Sequence, residues 1–231
     1  SSLRSAAGTA ALAADAARSH PKDKEHGHHS HKHEKSAPLL PPATAAQATA
    51  TGSCRAPEPG DKVVYFIRHG TKDLGTADPG LSKIGQLQAR VLKLQPALAA
   101  ALSANASHRA QLLLISPLRR TLETALLGFA GQFAPEQWLL SSDVMEQEVR
   151  DNPQVEKGEA MLRSLNIPTL LEQYHSLTAN WTAAGATTNR DENRAQADRF
   201  ADLLRARPEE RFIVVTHHWF AENVGGHNLN E

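Results

Sequence analysis

The chain has 231 residues, and its 25 lysines and arginines balance 25 aspartates and glutamates, so the formal net charge at pH 7 is zero. This balance gives no electrostatic case for a nucleic acid or a membrane as partner, and no apolar run is long enough to span a bilayer. Hydrophobic residues make up 40% of the chain and concentrate after residue 60, which suits one ordinary domain preceded by a tail.

Residues 1–60 have the composition of a disordered tail, rich in alanine, serine, histidine and proline with little bulk to bury. Residues 26–33 contain five histidines, and such a tract can bind Zn, Cu or Ni weakly. A solvated linker with incidental metal affinity is the preferred interpretation. The single cysteine, Cys54, excludes an intramolecular disulfide and fits a reducing compartment. We therefore expect a cytoplasmic protein, with organellar targeting left open because the chain starts at Ser1 without a methionine.

The first predicted strand covers residues 62–68 and leads into an arginine and a histidine, Arg68 and His69. Short runs rich in valine and isoleucine are typical of buried parallel strands. The carboxyl ends of such strands open into one crevice, where ligands bind. Side chains at this strand end are therefore candidates for a functional site.

A helix is predicted after the turn at residues 78–80, with Ser82 as its N-terminal cap. Pro96 should kink this helix or divide it in two. The helix prediction rests on apolar residues that recur at helical spacing, namely Ile84, Leu87, Val91, Leu94 and Leu98.

The second predicted strand, residues 111–116, is followed by a helix over residues 118–129. Two adjacent arginines, Arg119 and Arg120, stand at the start of this helix, and Glu123 one turn later offers either of them an ion pair.

A third strand is predicted near residues 138–141, ahead of an acidic loop. Helical stretches follow at residues 159–181, interrupted at Pro168, and at residues 192–207. The last strand, 211–216, runs into a histidine where another helix begins. We expect the buried face of the second stretch to include Phe200, Leu203 and Leu204.

The polar residues at these strand ends appear in a fixed order that resembles the histidine phosphatase superfamily, the phosphoglycerate mutase-like proteins. Residues 78–89 fit the pattern Asp-Pro-x-Leu-Ser-x-x-Gly-x-x-Gln-Ala, and residues 116–125 fit Ser-Pro-Leu-x-Arg-x-x-x-Thr-Ala. Residues 64–70, 147–149 and 214–217 also match, in the order that the family uses. The resemblance implies a three-layer α/β/α sandwich with a mostly parallel central sheet over residues 61–231, in a form that is C-terminally short or incomplete.

The resemblance also assigns roles to four residues. His69 matches the nucleophile that carries the phosphoryl group, with a backbone carbonyl holding the proton on its other ring nitrogen. Arg68 and Arg120 match the arginines that clamp phosphate, and His217 matches the histidine that helps hold charge on the transferring oxygens. The scheme requires no metal and no cofactor, since these side chains supply the positive charge.

The proton donor implied by the resemblance is a carboxylate after the third strand. Glu148 fits the family pattern best, and Glu146 is the rival; otherwise Glu146, Asp143 and Asp151 would form a solvated acidic loop. His218 is interpreted as pocket wall or structural, and Trp219 as core.

The loop after the nucleophile departs from the family, because Thr71 and Lys72 stand where mutases and several phosphatases place a Glu-Thr pair. The long insertion of the mutases is also missing, so a phosphatase acting on a small phosphomonoester is the preferred interpretation. A phosphomutase, a catalytically idle ligand-binding or protein-binding member, and a metal-binding role for the histidine-rich tail remain as alternatives. The sequence leaves the oligomeric state open.

Overall fold

The computed structural model describes residues 60–74, 78–146, 155–164, 167–179 and 190–226. The predicted tail up to residue 59, with its histidine tract and Cys54, lies outside these residues. The strands are β1 (Val63–Arg68), β2 (Leu112–Ile115), β3 (Trp138–Leu140) and β4 (Arg211–Thr216). The helices are α1 (Lys83–Arg90), α2 (Arg119–Phe129), α3 (Val155–Ser164), α4 (Pro168–Ala179), α5 (Arg190–Ala206) and α6 (His218–Gly226).

The four strands form one sheet in the order β1-β4-β2-β3, and every pairing is parallel. Each strand lies within one residue of its predicted bounds. In the register, Arg68 lies beside Thr216 and Ile115 lies beside Val215, so β1, β2 and β4 end at the same edge. The residues that follow these strands are thereby brought to one place.

Helices cover both faces of the sheet, because side chains of a buried strand alternate between the two faces. On one face, Ile115 and Val215 pack with apolar residues of α2, α3 and α4. On the other face, Phe66 and Val214 pack with Phe200 of α5 and with residues of α6. The predicted three-layer α/β/α sandwich with a parallel central sheet is confirmed. Among the helices described here, none is both long and apolar enough to cross a membrane.

Helix α1 begins as predicted, with the Ser82 Oγ accepting a hydrogen bond of 3.1 Å from the Gly85 N–H. It ends at Arg90, and residues 92–94 and 96–98 form two short 3₁₀ turns. Pro96 limits the helical run as expected, because the residue before a proline is driven to extended backbone and Gln95 has ψ 124°.

The apolar series that predicted α1 faces outward for most of its length. Leu98 is buried, but Ile84, Leu87 and Leu94 are 63%, 65% and 72% exposed. The side of α1 that meets the protein instead carries small residues, Gly85 and Ala89. The spacing therefore predicted the helix correctly but did not identify its buried face.

Gly85 is required by the close approach of α1 to the chain that follows His69. A Cβ at this position would lie 2.1 Å from the carbonyl oxygen of Thr71. In return, a Cβ at Gly70 would lie 2.6 Å from the carbonyl oxygen of Gly85. Backbone thus packs directly on backbone here, which only glycine permits.

We expect Gly85→Ala to lower the free energy of unfolding by about 1–3 kcal/mol, since the added methyl group must displace the Thr71 backbone. Equilibrium urea unfolding would measure the change. Gly131→Asn is the control, because that glycine has φ 75° and open space around it, and asparagine tolerates this backbone. An unfolding midpoint that Gly85→Ala leaves at the parent value would contradict the packing argument.

Candidate active site

Two histidines meet at the shared carboxyl edge of the sheet. His69 directly follows β1 and His217 directly follows β4, and their ring centroids lie 5.1 Å apart. Ser116 follows β2, which pairs with β4 on the side away from β1, and Arg120 is the second residue of α2. The strand ends therefore bring together residues that are up to 148 positions apart in the chain.

The hydrogen bonds of His69 fix which ring nitrogen carries its proton. Nδ1 lies 2.7 Å from the carbonyl oxygen of Gly70, which can only accept, so Nδ1 is the donor. Nε2 accepts a hydrogen bond of 3.1 Å from the Nε of Arg120. Nε2 therefore carries a lone pair and faces a guanidinium.

The environment keeps His69 neutral. Burial is the main cause that lowers its pKa from 6.5 to about 3, and the positive charge of Arg120 is the next. Arg68 and Lys72 lower the pKa further, while the Gly70 carbonyl opposes the shift. The imidazole is consequently unprotonated throughout the physiological pH range, and the Nε2 lone pair is always present.

His217 is completely buried. Its Nε2 lies 2.8 Å from the Ser116 Oγ, and its Nδ1 lies 3.7 Å from the Glu146 Oε2. The latter distance is too long for a hydrogen bond. Burial, followed by the charge of Arg120, holds the pKa of His217 well below its usual value, which outweighs the nearby carboxylate.

The two adjacent arginines of α2 point to different surroundings. Arg120 is fully buried and contacts His69. Arg119 instead forms an ion pair of 3.4 Å with Glu123, and its backbone N–H donates to the Asp78 Oδ1 at 2.9 Å. Arg119 therefore ties the preceding loop to α2, and Arg120 is the one available to the site.

Arg68 is the last residue of β1 and its side chain is exposed. Its charge nevertheless lowers the pKa of both His69 and His217, so its field reaches the site. An exposed arginine whose field reaches both histidines can attract an incoming anion towards them.

Of the two candidate proton donors, only Glu146 lies within the residues that the structure describes. It is 7% exposed and lies beside His217, so the alternative in which it belongs to a solvated loop is wrong. Asp143, from the same loop, forms a salt bridge of 2.7 Å with Arg199. Glu148 and Asp151 fall outside the described residues.

Sequence reasoning missed two hydroxyls that hold the site in place. The Thr124 Oγ1 accepts a hydrogen bond from the Gly70 N–H at 3.1 Å and donates to the Arg120 carbonyl at 2.7 Å. Ser116 contacts His217, as described above. Both lie in the segment that matched the family pattern, but nothing in the sequence indicated which partners they would bind.

The residues after His217 are more exposed than predicted. His218 lies 3.2 Å from Glu222 on the surface of α6. Trp219 is 42% exposed, so its interpretation as a core residue is wrong. The first turn of α6 directs these side chains away from the apolar layer formed by Phe220 and Val224.

His69, Glu146 and His217 could in principle hold a metal ion, since one ligand atom from each lies within 4.8 Å of the others. Arg120 argues against it, because its Nε is 3.1 Å from the same His69 nitrogen. The field that lowers the pKa of both histidines repels a metal cation as it repels a proton. The site is therefore better suited to an anion with several oxygen acceptors.

No protein-family model matches the sequence, and no curated protein matches it. Among solved structures, the chain is similar to an alpha-ribazole phosphatase from Shigella flexneri, with 19% identity, a TM-score of 0.39, and coverage of 69% of this chain and 75% of that one. It is also similar to a phosphoserine phosphatase from Entamoeba histolytica, with 17% identity, a TM-score of 0.40, and coverage of 70% and 78%. The protein histidine phosphatase SixA gives 14% identity, a TM-score of 0.34, and coverage of 70% and 72%. Since the similarity is this low, no residue roles are transferred from these proteins.

The buried, neutral state of His217 predicts that the protein loses stability as the pH falls. Its folded pKa lies well below the unfolded value of 6.5, so below about pH 6.5 the unfolded chain takes up a proton that the folded chain does not. Between pH 7 and pH 5 this group alone should lower the free energy of unfolding by about 2 kcal/mol. We expect the free energy of unfolding of His217→Asn to fall less between pH 7 and pH 5 than that of the parent, by about the same 2 kcal/mol.

Urea unfolding of parent and variant at both pH values would measure the difference. His108→Asn, at an exposed position, serves as control and should keep the parent's pH dependence. Equal losses in the parent and His217→Asn would contradict the neutral state of His217.

Proposed function

We propose that the chain is a metal-independent phosphomonoester hydrolase that works through a phosphohistidine on His69. One observation supports this most directly. The His69 Nε2 carries no proton, and it lies 3.1 Å from the Nε of the buried Arg120 guanidinium. A nucleophile and a phosphate-binding group are thus adjacent before any substrate arrives.

In the first proposed step, the phosphoryl group enters between His69 and Arg120 and replaces the hydrogen bond that joins Arg120 Nε to His69 Nε2. The guanidinium binds two of its oxygens, and Arg68 adds positive charge from the entrance. The Nε2 lone pair forms a bond to phosphorus while the bond between phosphorus and the ester oxygen breaks. The departing oxygen takes a proton from a carboxylic acid, for which Glu148 is the first candidate and Glu146 the second.

In the second proposed step, water attacks the phosphorus of phosphohistidine. The same carboxylate accepts a proton from this water, the P–N bond breaks, and its electron pair returns to Nε2. Inorganic phosphate leaves, and the enzyme is restored. Water rather than a bound product is the proposed acceptor, because the loop at Thr71 and Lys72 lacks the pattern of the mutases.

The Gly70 carbonyl has a specific task in this cycle. Phosphorylated His69 bears hydrogen on Nδ1 and phosphorus on Nε2, so its ring is cationic. The carbonyl oxygen 2.7 Å from Nδ1 stabilises that positive charge, in agreement with its raising effect on the pKa of His69. Free His69 therefore stays neutral, while its covalent intermediate is stabilised.

The first test is phosphate release from a panel of phosphomonoesters in the presence of EDTA. We expect the parent to turn over at least one ester and His69→Ala to lose that activity by a factor of at least about 10³, since the covalent route would be closed. His108→Ala is the matched control, because that histidine is exposed. Turnover that survives in His69→Ala would refute the proposed nucleophile.

A second test separates the two candidate acids. A missing proton donor harms the release of an alkoxide more than the release of a nitrophenolate, which needs little protonation. We expect Glu148→Gln to lower kcat/KM by about 10²–10⁴-fold for glycerol phosphate and by much less for p-nitrophenyl phosphate.

Glu146→Gln is the matched variant for this test. Because Glu146 lies against His217, we expect its substitution to lower kcat/KM for both esters by similar factors. If Glu146→Gln instead lowered kcat/KM much more for glycerol phosphate than for p-nitrophenyl phosphate, Glu146 would be the acid and Glu148 would not.

A further inference from the structure

The outer side of α1 and the turn after it carry a row of exposed apolar side chains, called here the outer stripe: Ile84, Leu87, Val91 and Leu94. Three of them are more than 60% exposed, and Val91 is 41% exposed. Their spacing of three, four and three residues places them one above another on the same side. Leu74, in the loop joined to the start of α1, is 88% exposed.

The outer stripe lies opposite the side of α1 that packs on the protein, where Gly85 and Ala89 are buried. Exposed apolar residues scattered singly need no explanation, but a contiguous row of them marks an interaction surface. Helix α1 therefore has two apolar sides, and the protein uses only the inner one.

The charged residues of α1 and of the turn after it are all basic, and exposed Asp73 lies beside Leu74 in the preceding loop. The sequence contains no aspartate or glutamate between Asp78 and Glu123. Within that stretch Lys83, Arg90 and Lys93 lie on α1 or in the turn that follows it. A chain with zero net charge thus presents an apolar row beside basic side chains, which is the pattern of a helix that lies on an anionic surface.

We propose that the outer stripe docks on an anionic lipid surface, with its apolar side chains entering the headgroup region and the basic side chains meeting lipid phosphates. A second copy of the chain is a poorer occupant, because pairing two stripes would oppose Lys83, Arg90 and Lys93 to one another. A nucleic acid would satisfy the charges but leave the apolar row in water.

This proposal departs from the expectation that the protein has no membrane partner. That expectation rested on net charge, which averages over the whole surface and conceals a local excess of one sign. The association proposed is peripheral, since α1 has only eight residues and lies along the surface of the protein.

The test is co-sedimentation of the full chain with vesicles of phosphatidylcholine alone and of phosphatidylcholine mixed with phosphatidylserine, with EDTA present to suppress metal bridges. We expect binding only to the anionic vesicles, and weaker binding at high salt. Lys83→Gln and Lys93→Gln should each lower the partition coefficient by about fivefold. The double variant Leu87→Glu/Leu94→Glu should abolish binding.

Matched controls use exposed residues outside the outer stripe. Val155→Glu and Lys157→Gln, both on α3, should bind vesicles as the parent does. The far-UV circular dichroism spectrum should match that of the parent in all these variants, which shows that each is folded.

Three results would overturn the proposal. The first is no binding of the parent to anionic vesicles, and the second is binding that Leu87→Glu/Leu94→Glu leaves intact. The third is a dimer in analytical ultracentrifugation that the same double variant dissociates, which would assign the outer stripe to a second copy. None of these results depends on whether His69 is the nucleophile.

Discussion

The contact between a buried guanidinium and an imidazole organises this structure. Arg120 has no exposure to solvent, and its Nε donates to the one His69 nitrogen that has a lone pair. A guanidinium that solvent cannot screen exerts a strong positive field on its surroundings, which suits the site to an anion. Its charge adds to burial, which is the larger cause, in lowering the pKa of both histidines. Arg120 therefore favours both a bound anion and an unprotonated His69.

The rest of the fold serves to hold that contact in register. The parallel sheet brings the ends of β1 and β4 together, and α2 starts beside them with Arg120 in its first turn. Thr124 then fixes the distance between the chain after His69 and the start of α2, since its single hydroxyl binds both the Gly70 N–H and the Arg120 carbonyl. A stable site of this kind needs such support, because the two central groups repel each other whenever the imidazole gains a proton.

Much of the fold could be predicted from the sequence, because the strands are short continuous apolar runs, rich in branched and aromatic residues. The buried face of α1 could not, since its inner side is made of glycine and alanine, which carry little hydrophobic signal. In the site, the motifs indicated His69, Arg120 and His217, and the structure places them together. The partners of Ser116 and the burial of Glu146 depend on tertiary contacts 101 and 71 residues away in the chain.

The contact between Gly85 and Thr71 has a mechanical consequence. No side chain separates the two backbones, so α1 and the chain after His69 are in direct contact. The Thr71 N–H also donates a hydrogen bond of 2.8 Å to the Gln88 Oε1. A displacement of α1 would therefore also displace the chain that follows His69.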